Sequence, residues 1–157
     1  MNALELDSYD WKLLQALQAN ARLSNVALSE QVNLSPSQCS RRLQRLEQSK
    51  LIESYNTQLN TSELGYQVTA FVTVTLEKGN TRARKNFQER IEQMDTVLEC
   101  YSVTGECDYW LRVIAHDLPA LATFLSEDLA YMEGVRDASS TVVLNKVKQC
   151  SSVPLPS

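Results

Sequence analysis

The sequence predicts an α+β protein in two parts, a three-helix bundle followed by a βαββαβ domain. Three observations carry that reading: capped helical patterns in the first fifty residues, a period-two strand pattern over residues 68–76, and a later alternation of helical and strand periods.

The first helix opens at Asp7, an N-cap, with Leu6 and Trp11 spaced as a hydrophobic staple and Leu13, Leu14 and Leu17 on the inward face. Ser24 caps a second, shorter helix carrying Leu28 and Val32. A three-residue break, Val32-Asn33-Leu34, then leads into the third helix; Asn33 suits the left-handed conformation that such a turn needs.

The third helix has the most explicit signals. Ser35 is an N-cap, Pro36 fits the first helical position because its missing N–H has no intrahelical partner, and Gln38 completes a capping box. Cys39, Leu43 and Leu46 follow the i, i+4, i+7 rhythm of a buried stripe, so Ser37, Ser40, Arg41 and Arg45 fall largely outside it, and the arginines are expected to face outward. Two helices with this spacing form a helix-turn-helix. Residues 51–59 have strand-like composition and end at the turn-prone pair Asn60-Thr61, which fits a wing and a connector.

Beyond the connector, Val68, Ala70, Val72, Val74 and Leu76 alternate with Thr69, Phe71, Thr73 and Thr75, the clearest strand in the chain. Ala83, Phe87, Ile91 and Met94 step at helical spacing. Residues 97–103 and 109–115 are strands joined by the tight polar link Thr104-Gly105-Glu106-Cys107-Asp108. Asp117 caps a further helix with Leu118, Leu121, Leu125 and Leu129 as its buried side, and a last strand runs from Val135 to about Val147. The order is that of a ferredoxin-like domain. The boundaries are a winged helix-turn-helix at residues 1–60, a connector at 61–66, the ferredoxin-like domain at 67–148 and a tail at 149–157.

Two helices cover one face of such a sheet. Because Trp110 and Ile114 alternate with Tyr109, Leu111 and Val113, both faces of the central strands carry apolar groups, and the uncovered one is expected to meet another subunit.

Composition narrows the function. With 15 basic against 19 acidic residues the formal charge is −4, which argues against coating nucleic acid by bulk attraction. Charge is local, however: Arg41, Arg42, Arg45 and Lys50 against Glu47 make one helix cationic, which implies targeted docking by several copies. No apolar run approaches a membrane span and no signal core is visible, so a cytoplasmic protein is expected. Cys39, Cys100, Cys107 and Cys150 form no C-x-x-C pair and His116 is the single histidine, so no zinc site and no disulfide framework is indicated. Reduced thiols are expected, and a redox role for Cys107 or Cys150 is disfavoured. The four glycines stand apart rather than forming a phosphate cradle, and neither a catalytic residue nor a resident cofactor is indicated.

Taken in order, several segments resemble the Lrp/AsnC (feast/famine) family of transcriptional regulators. They are Leu6-Asp7 with Asp10 and Leu13-Leu14, Arg22-Leu23-Ser24, Leu34-Ser35, Arg42-Leu43, Arg45-Leu46-Glu47 and Leu64-Gly65. The second half adds the run from Val103 to Tyr109, Gly134-Val135, and Ser139-Ser140-Thr141 leading to Leu144 and Val147-Lys148.

The resemblance implies a winged helix-turn-helix joined to a ferredoxin-like RAM/effector domain, with dimers forming through the sheets, octamers beyond them, and a free amino acid bound between dimers. It implies double-stranded DNA as a partner of Arg22, Ser35, Ser37, Gln38, Ser40, Arg41, Arg42, Arg45 and Lys50. Arg42 and Arg45 would fix phosphates or support the helix. Gly105, Glu106, Asp108 and Tyr109 would form one wall of the effector pocket, with Leu118, Ser140 and Thr141 supplying another from a neighbouring subunit. Asp108 or Glu106 can accept from the ligand's ammonium group, and loop N–H groups with the Ser140 and Thr141 hydroxyls can serve its carboxylate.

Two positions depart from the family pattern. Lys50 stands where a glycine usually follows the recognition helix, and Cys107 replaces an aromatic residue between the two acids. The expected function is a sequence-specific, amino-acid-responsive transcription regulator. The alternatives are an architectural protein that wraps DNA without an effector and, from a different class, a small ferredoxin-like enzyme.

Overall fold

The computed structural model describes residues 5–149 and 152–156. These gather into two compact units, one built on residues up to Gln58 together with those from Lys148 onward, the other on Leu59–Val147. Cys150 lies outside the described residues, as do parts of the expected tail.

In the first unit, α1 (Ser8–Ala19), α2 (Asn25–Val32) and α3 (Pro36–Gln48) pack Leu13, Leu17, Leu28, Val32, Cys39 and Leu43 into one core. Each start is capped as the sequence indicates: Asp7 accepts from the Tyr9 and Asp10 amides, Ser24 from Ala27, and Ser35 from Gln38. Asn33 is left-handed, with φ 57°, and turns the chain between α2 and α3. Lys50 is also left-handed, with φ 59°. Its amide donates to the Glu47 carbonyl and that of Leu51 to the Leu46 carbonyl, the paired closure of a Schellman turn that glycine usually makes.

The wing differs from expectation. Residues 51–59 form no strand. A lone extended segment has no ladder partner for its backbone groups, and composition cannot supply one. The segment is instead tied back to α3 by the Tyr55 hydroxyl, which donates to Glu47 Oε1 at 2.8 Å.

The second unit contains β1 (Val68–Leu76), α4 (Thr81–Glu92), β2 (Val97–Ser102), β3 (Tyr109–Ala115), α5 (Leu118–Thr123) and β4 (Val135–Val142). The sheet is antiparallel with order β2-β3-β1-β4, so the chain's first strand lies centrally, as a ferredoxin-like domain requires. Residues Val68, Ala70, Val72, Val74 and Leu76 turn one face of β1 into the core, against Phe87 and Ile91 of α4, Leu121 of α5, and Phe124 and Leu129 beyond it.

Two further differences have local causes. The helix after β3 leaves α geometry at Phe124–Leu129, a π-helical turn in which the Ala130 amide reaches the Leu125 carbonyl. The wider turn buries the i, i+5 pair Phe124 and Leu129 and leaves Leu125 only partly covered. Leu118, expected on the buried side, is 58% exposed at the first turn. The last strand also stops at Val142, earlier than predicted. Beyond the Val143 amide, which donates to Thr69, Leu144 and Val147 are almost fully exposed and have no sheet to continue.

The opposite face of the sheet carries Phe71, Trp110 and Tyr101, all substantially exposed, with the Phe71 and Trp110 rings 6.3 Å apart. Tyr101 lies directly across from Trp110. The connector belongs to this unit: Tyr66 stacks on the His116 ring at 4.5 Å, and His116 Nδ1 hydrogen-bonds the Gly65 carbonyl at 3.0 Å.

Candidate DNA interface and effector site

Helix α3 sorts its side chains by turn. Cys39, Leu43 and Leu46 are buried, while Ser37, Ser40, Arg41 and Gln44 recur at i, i+3, i+4 and i+7 on an exposed face. Gln44 was not singled out from the sequence, although its i+7 spacing from Ser37 was the available signal. The Ser35 hydroxyl accepts the Gln38 amide, and Gln38 Oε1 accepts the Ser35 amide at 2.9 Å, so both polar groups are engaged in starting the helix.

The three arginines do not behave alike. Arg41 faces solvent. Arg42, expected to fix a phosphate or support the helix, is half-buried: its Nη1 lies 2.8 Å from both Asp7 Oδ2 and Asp10 Oδ1. Arg45 donates from Nη2 to Asp10 Oδ2 while its side chain stays partly exposed. Asp10 is completely buried, and its Oδ2 also accepts the Asp7 amide at 3.1 Å, so one carboxylate starts α1 and holds α3. The Arg42 guanidinium further lies over the Tyr9 ring, 5.5 Å from its centroid.

Electrostatics follow from that clamp. The hydrogen bond to Asp10 raises the pKa of Arg42 above its ordinary value, keeping it charged. The Asp10 amide, assisted by Arg42, holds the Asp7 carboxyl below the usual carboxylate range. Desolvation pushes the buried Cys39 thiol up, away from the reactive thiolate. Among the described residues, Arg22, Arg41 and Lys50 of this unit make no ion pair.

In the second unit the hairpin between β2 and β3 sits beside an open cavity of about 730 Å³. Its floor is the uncovered sheet face, Thr73 and Thr75 of β1 with Trp110 of β3. Its rim carries Glu106 and Cys107 from the hairpin and Arg136 and Asp137 from β4.

Of the effector residues indicated by the sequence, this cavity gathers only Glu106 directly. Gly105 precedes it with φ 127°, a conformation that favours glycine. Asp108 is engaged within the chain: its Oδ2 accepts the Leu76 amide at 2.8 Å and its Oδ1 faces Arg84 Nη2 at 3.3 Å, bracing the end of β1 against α4. The Tyr109 side chain lies in the core, 1% exposed, and its hydroxyl accepts from Gln88 Nε2 at 3.0 Å.

Ser140 and Thr141 lie opposite Val72 and Phe71, so consecutive strand residues place them on opposite faces of the sheet. Leu118 follows the far end of β3, roughly 20 Å along the strand from the hairpin. One protomer therefore does not bring Leu118 to Glu106. Among the described residues no cluster of metal-binding side chains occurs, and no helix is long and apolar enough to cross a membrane.

Comparison with known proteins places both units. A winged helix-turn-helix DNA-binding family matches residues 6–53, and the Lrp/AsnC ligand binding domain matches residues 69–153. The leucine-responsive regulatory protein of Escherichia coli (strain K12) is 36% identical over 145 residues, covering 92% of this chain and 88% of the relative. A transcriptional regulator from Neisseria meningitidis, solved as an L-Met complex, superposes with TM-score 0.91 at 39% identity, covering 96% of this chain and 97% of the other. An AsnC family transcriptional regulator from Agrobacterium tumefaciens gives TM-score 0.87 at 30% identity, covering 95% and 97%.

Proposed function

The chain belongs to the Lrp/AsnC family of DNA-binding transcriptional regulators with an amino-acid-binding domain, and we propose that its DNA binding or its assembly responds to a free amino acid. The observation that carries this reading is the presence, in one chain, of a capped helix with an exposed Arg41 face and a cavity rimmed by both charge signs. A zwitterion needs a cation and an anion at one site, and a base edge needs an unencumbered fork of donors.

In this reading Ser37, Ser40 and Arg41 meet base edges or nearby backbone, and Arg22 and Lys50 meet phosphates. Arg42 and Arg45 act through Asp10 by holding the helix in place, and Ser35 and Gln38 fix its start. Gly105 and Glu106 stand on the effector side of the hairpin, with Asp108 and Tyr109 supporting it from within the unit. Leu118, Ser140 and Thr141 reach an effector only through assembly. The exposed aromatic face of Phe71, Tyr101 and Trp110 is the surface through which copies pair, first as dimers and then as octamers. The protein acts where its DNA is, in the cytoplasm.

The test is selection of binding sites from a random double-stranded DNA pool by the full chain, with and without a mixture of the twenty L-amino acids. A shared motif whose recovery changes with the mixture supports the proposal. A motif unaffected by the mixture favours the effector-independent architectural reading, and recovery without any motif overturns sequence-specific binding.

A further inference from the structure

The connector is a turn folded on itself and fastened to the sheet at one residue. Asn60 Oδ1 accepts the Ser62 amide at 3.1 Å, and the Gly65 and Tyr66 amides return to the Ser62 and Thr61 carbonyls, both at 3.0 Å. Gln67 Nε2 donates to the Ser62 carbonyl at 3.0 Å. His116, the chain's single histidine, follows the end of β3 and meets this turn through backbone and ring. Its carbonyl accepts the Gln67 amide at 3.3 Å, its Nδ1 lies 3.0 Å from the Gly65 carbonyl oxygen, and its ring stacks on Tyr66 with the planes 16° from parallel.

A carbonyl oxygen only accepts, so Nδ1 carries the proton and donates. Gly65 holds a left-handed φ of 89°, and the imidazole lies where its side chain would begin, with Nδ1 3.4 Å from the position of a Cβ. His116 and Gly65 are exposed and Tyr66 is half-buried, so water competes for the bond. One surface hydrogen bond and one ring stack make a fastening strong enough to favour the docked turn and weak enough to open locally.

We infer that His116 is a positioning residue for DNA binding: by latching Gly65 and Tyr66 it fixes the direction in which the chain leaves β1 for the helix-turn-helix. The role rests on the pairing of copies proposed above. A recognition helix on a latched connector is presented in a set orientation, so two copies meet two sites on one duplex without first ordering a free linker. Unlatched, each copy still binds one site, because Arg22, Arg41 and Lys50 all precede the connector.

The experiment pairs hydrogen–deuterium exchange with DNA binding, both on the full chain. His116→Ala should speed exchange across residues 62–67 by about tenfold while residues 69–75 and 110–114 stay as protected as in the wild type. His116→Asn, whose side-chain amide can replace the Nδ1 donor, should recover part of the protection, and Tyr66→Ala should add little to His116→Ala. The DNA arm uses a duplex recovered in the selection above, whole and cut into halves. The wild type should bind the whole duplex more tightly than either half, and His116→Ala should lose about tenfold on the whole duplex and nothing on the halves. Unchanged exchange at residues 62–67 in His116→Ala overturns the latch. Exchange that rises equally in β1 and β3 overturns it too, because His116 would then be a structural residue of the sheet. Normal affinity of His116→Ala for the whole duplex, or equal loss on whole and halves, overturns the positioning role while leaving DNA binding standing. Equal binding of whole and halves by the wild type overturns that role together with the paired-copy reading.

Discussion

Asp10 and Arg42, thirty-two residues apart in sequence, meet through a 2.8 Å hydrogen bond in which the carboxylate is wholly buried and the guanidinium half-buried. The bond joins α1 to α3, so the orientation of the recognition helix depends on a charge on another helix. Removing the carboxylate leaves two arginines facing a site that no longer balances them. Asp10→Ala should destabilise the first unit by about 3 kcal/mol or more, read from chemical denaturation monitored at Trp11. A loss below about 1 kcal/mol would show that water compensates the pair.

Arg41 and Arg42 are neighbours with different environments. Arg41→Ala should weaken DNA binding, relax base preference and lower the salt dependence of affinity, because an unpaired cation is removed. Arg42→Gln should reduce stability and affinity but leave the salt slope unchanged. Fluorescence anisotropy against a labelled duplex at several salt concentrations separates the two; matching slope changes would place both arginines on the DNA.

Much of this was legible in the sequence. The capping box at Ser35 and Gln38, the left-handed Asn33 and the alternation in β1 are local signals, read from residues within a few positions of one another. The destinations of Arg42 and Arg45 depend on Asp10, a partner too distant for any local period to reveal. A hint existed, since Arg42 lies three residues after Cys39 and four before Leu46, on the border of the buried stripe. In β4, Thr75 lies opposite Asp137 and Leu76 opposite Val135, leaving Arg136 as the extra residue of a β-bulge. It had no such signal, because a bulge is defined only by the register of the opposing strand.

Lys50 holds a left-handed conformation that costs an ordinary side chain about 1 kcal/mol relative to glycine. Lys50→Gly should therefore raise the unfolding free energy by about that amount in urea titration. It should also remove about one ion from the salt dependence of DNA binding if Lys50 touches phosphate. Unchanged stability would mean that the lysine stem packs well enough to offset the strain.

Gly134 sits with φ 84° where an added Cβ would lie 2.3 Å from the Ala83 Cβ. The clash is with a buried helix residue, which cannot rotate away. Gly134→Ala should destabilise the second unit by about 2–4 kcal/mol, measured by calorimetry. A melting temperature equal to the wild type's would show that α4 moves freely.

Glu99 accepts from Arg112 Nη2 at 2.5 Å on the uncovered sheet face, and that hydrogen bond holds its carboxyl below the ordinary value of 4.5. A lowered folded pKa adds stability that is fully present above the unfolded value and lost as pH falls through the folded one. Stability should accordingly be flat near neutrality and fall below about pH 4.5, with Arg112→Gln showing a shallower acid limb in denaturation measured from pH 7 to 3. Identical limbs would assign acid sensitivity elsewhere, Asp7 being the next group to examine.

The bulge in β4 also bears on how this protein can be re-engineered. Deleting Arg136 would bring Asp137 directly after Val135, and the pairing with Leu76 and Thr75 would become continuous without moving any downstream residue out of step. The surplus residue is thus removable punctuation in the ladder rather than part of its grammar. Chain length can be changed there while the hydrogen-bonded frame of the sheet is left intact.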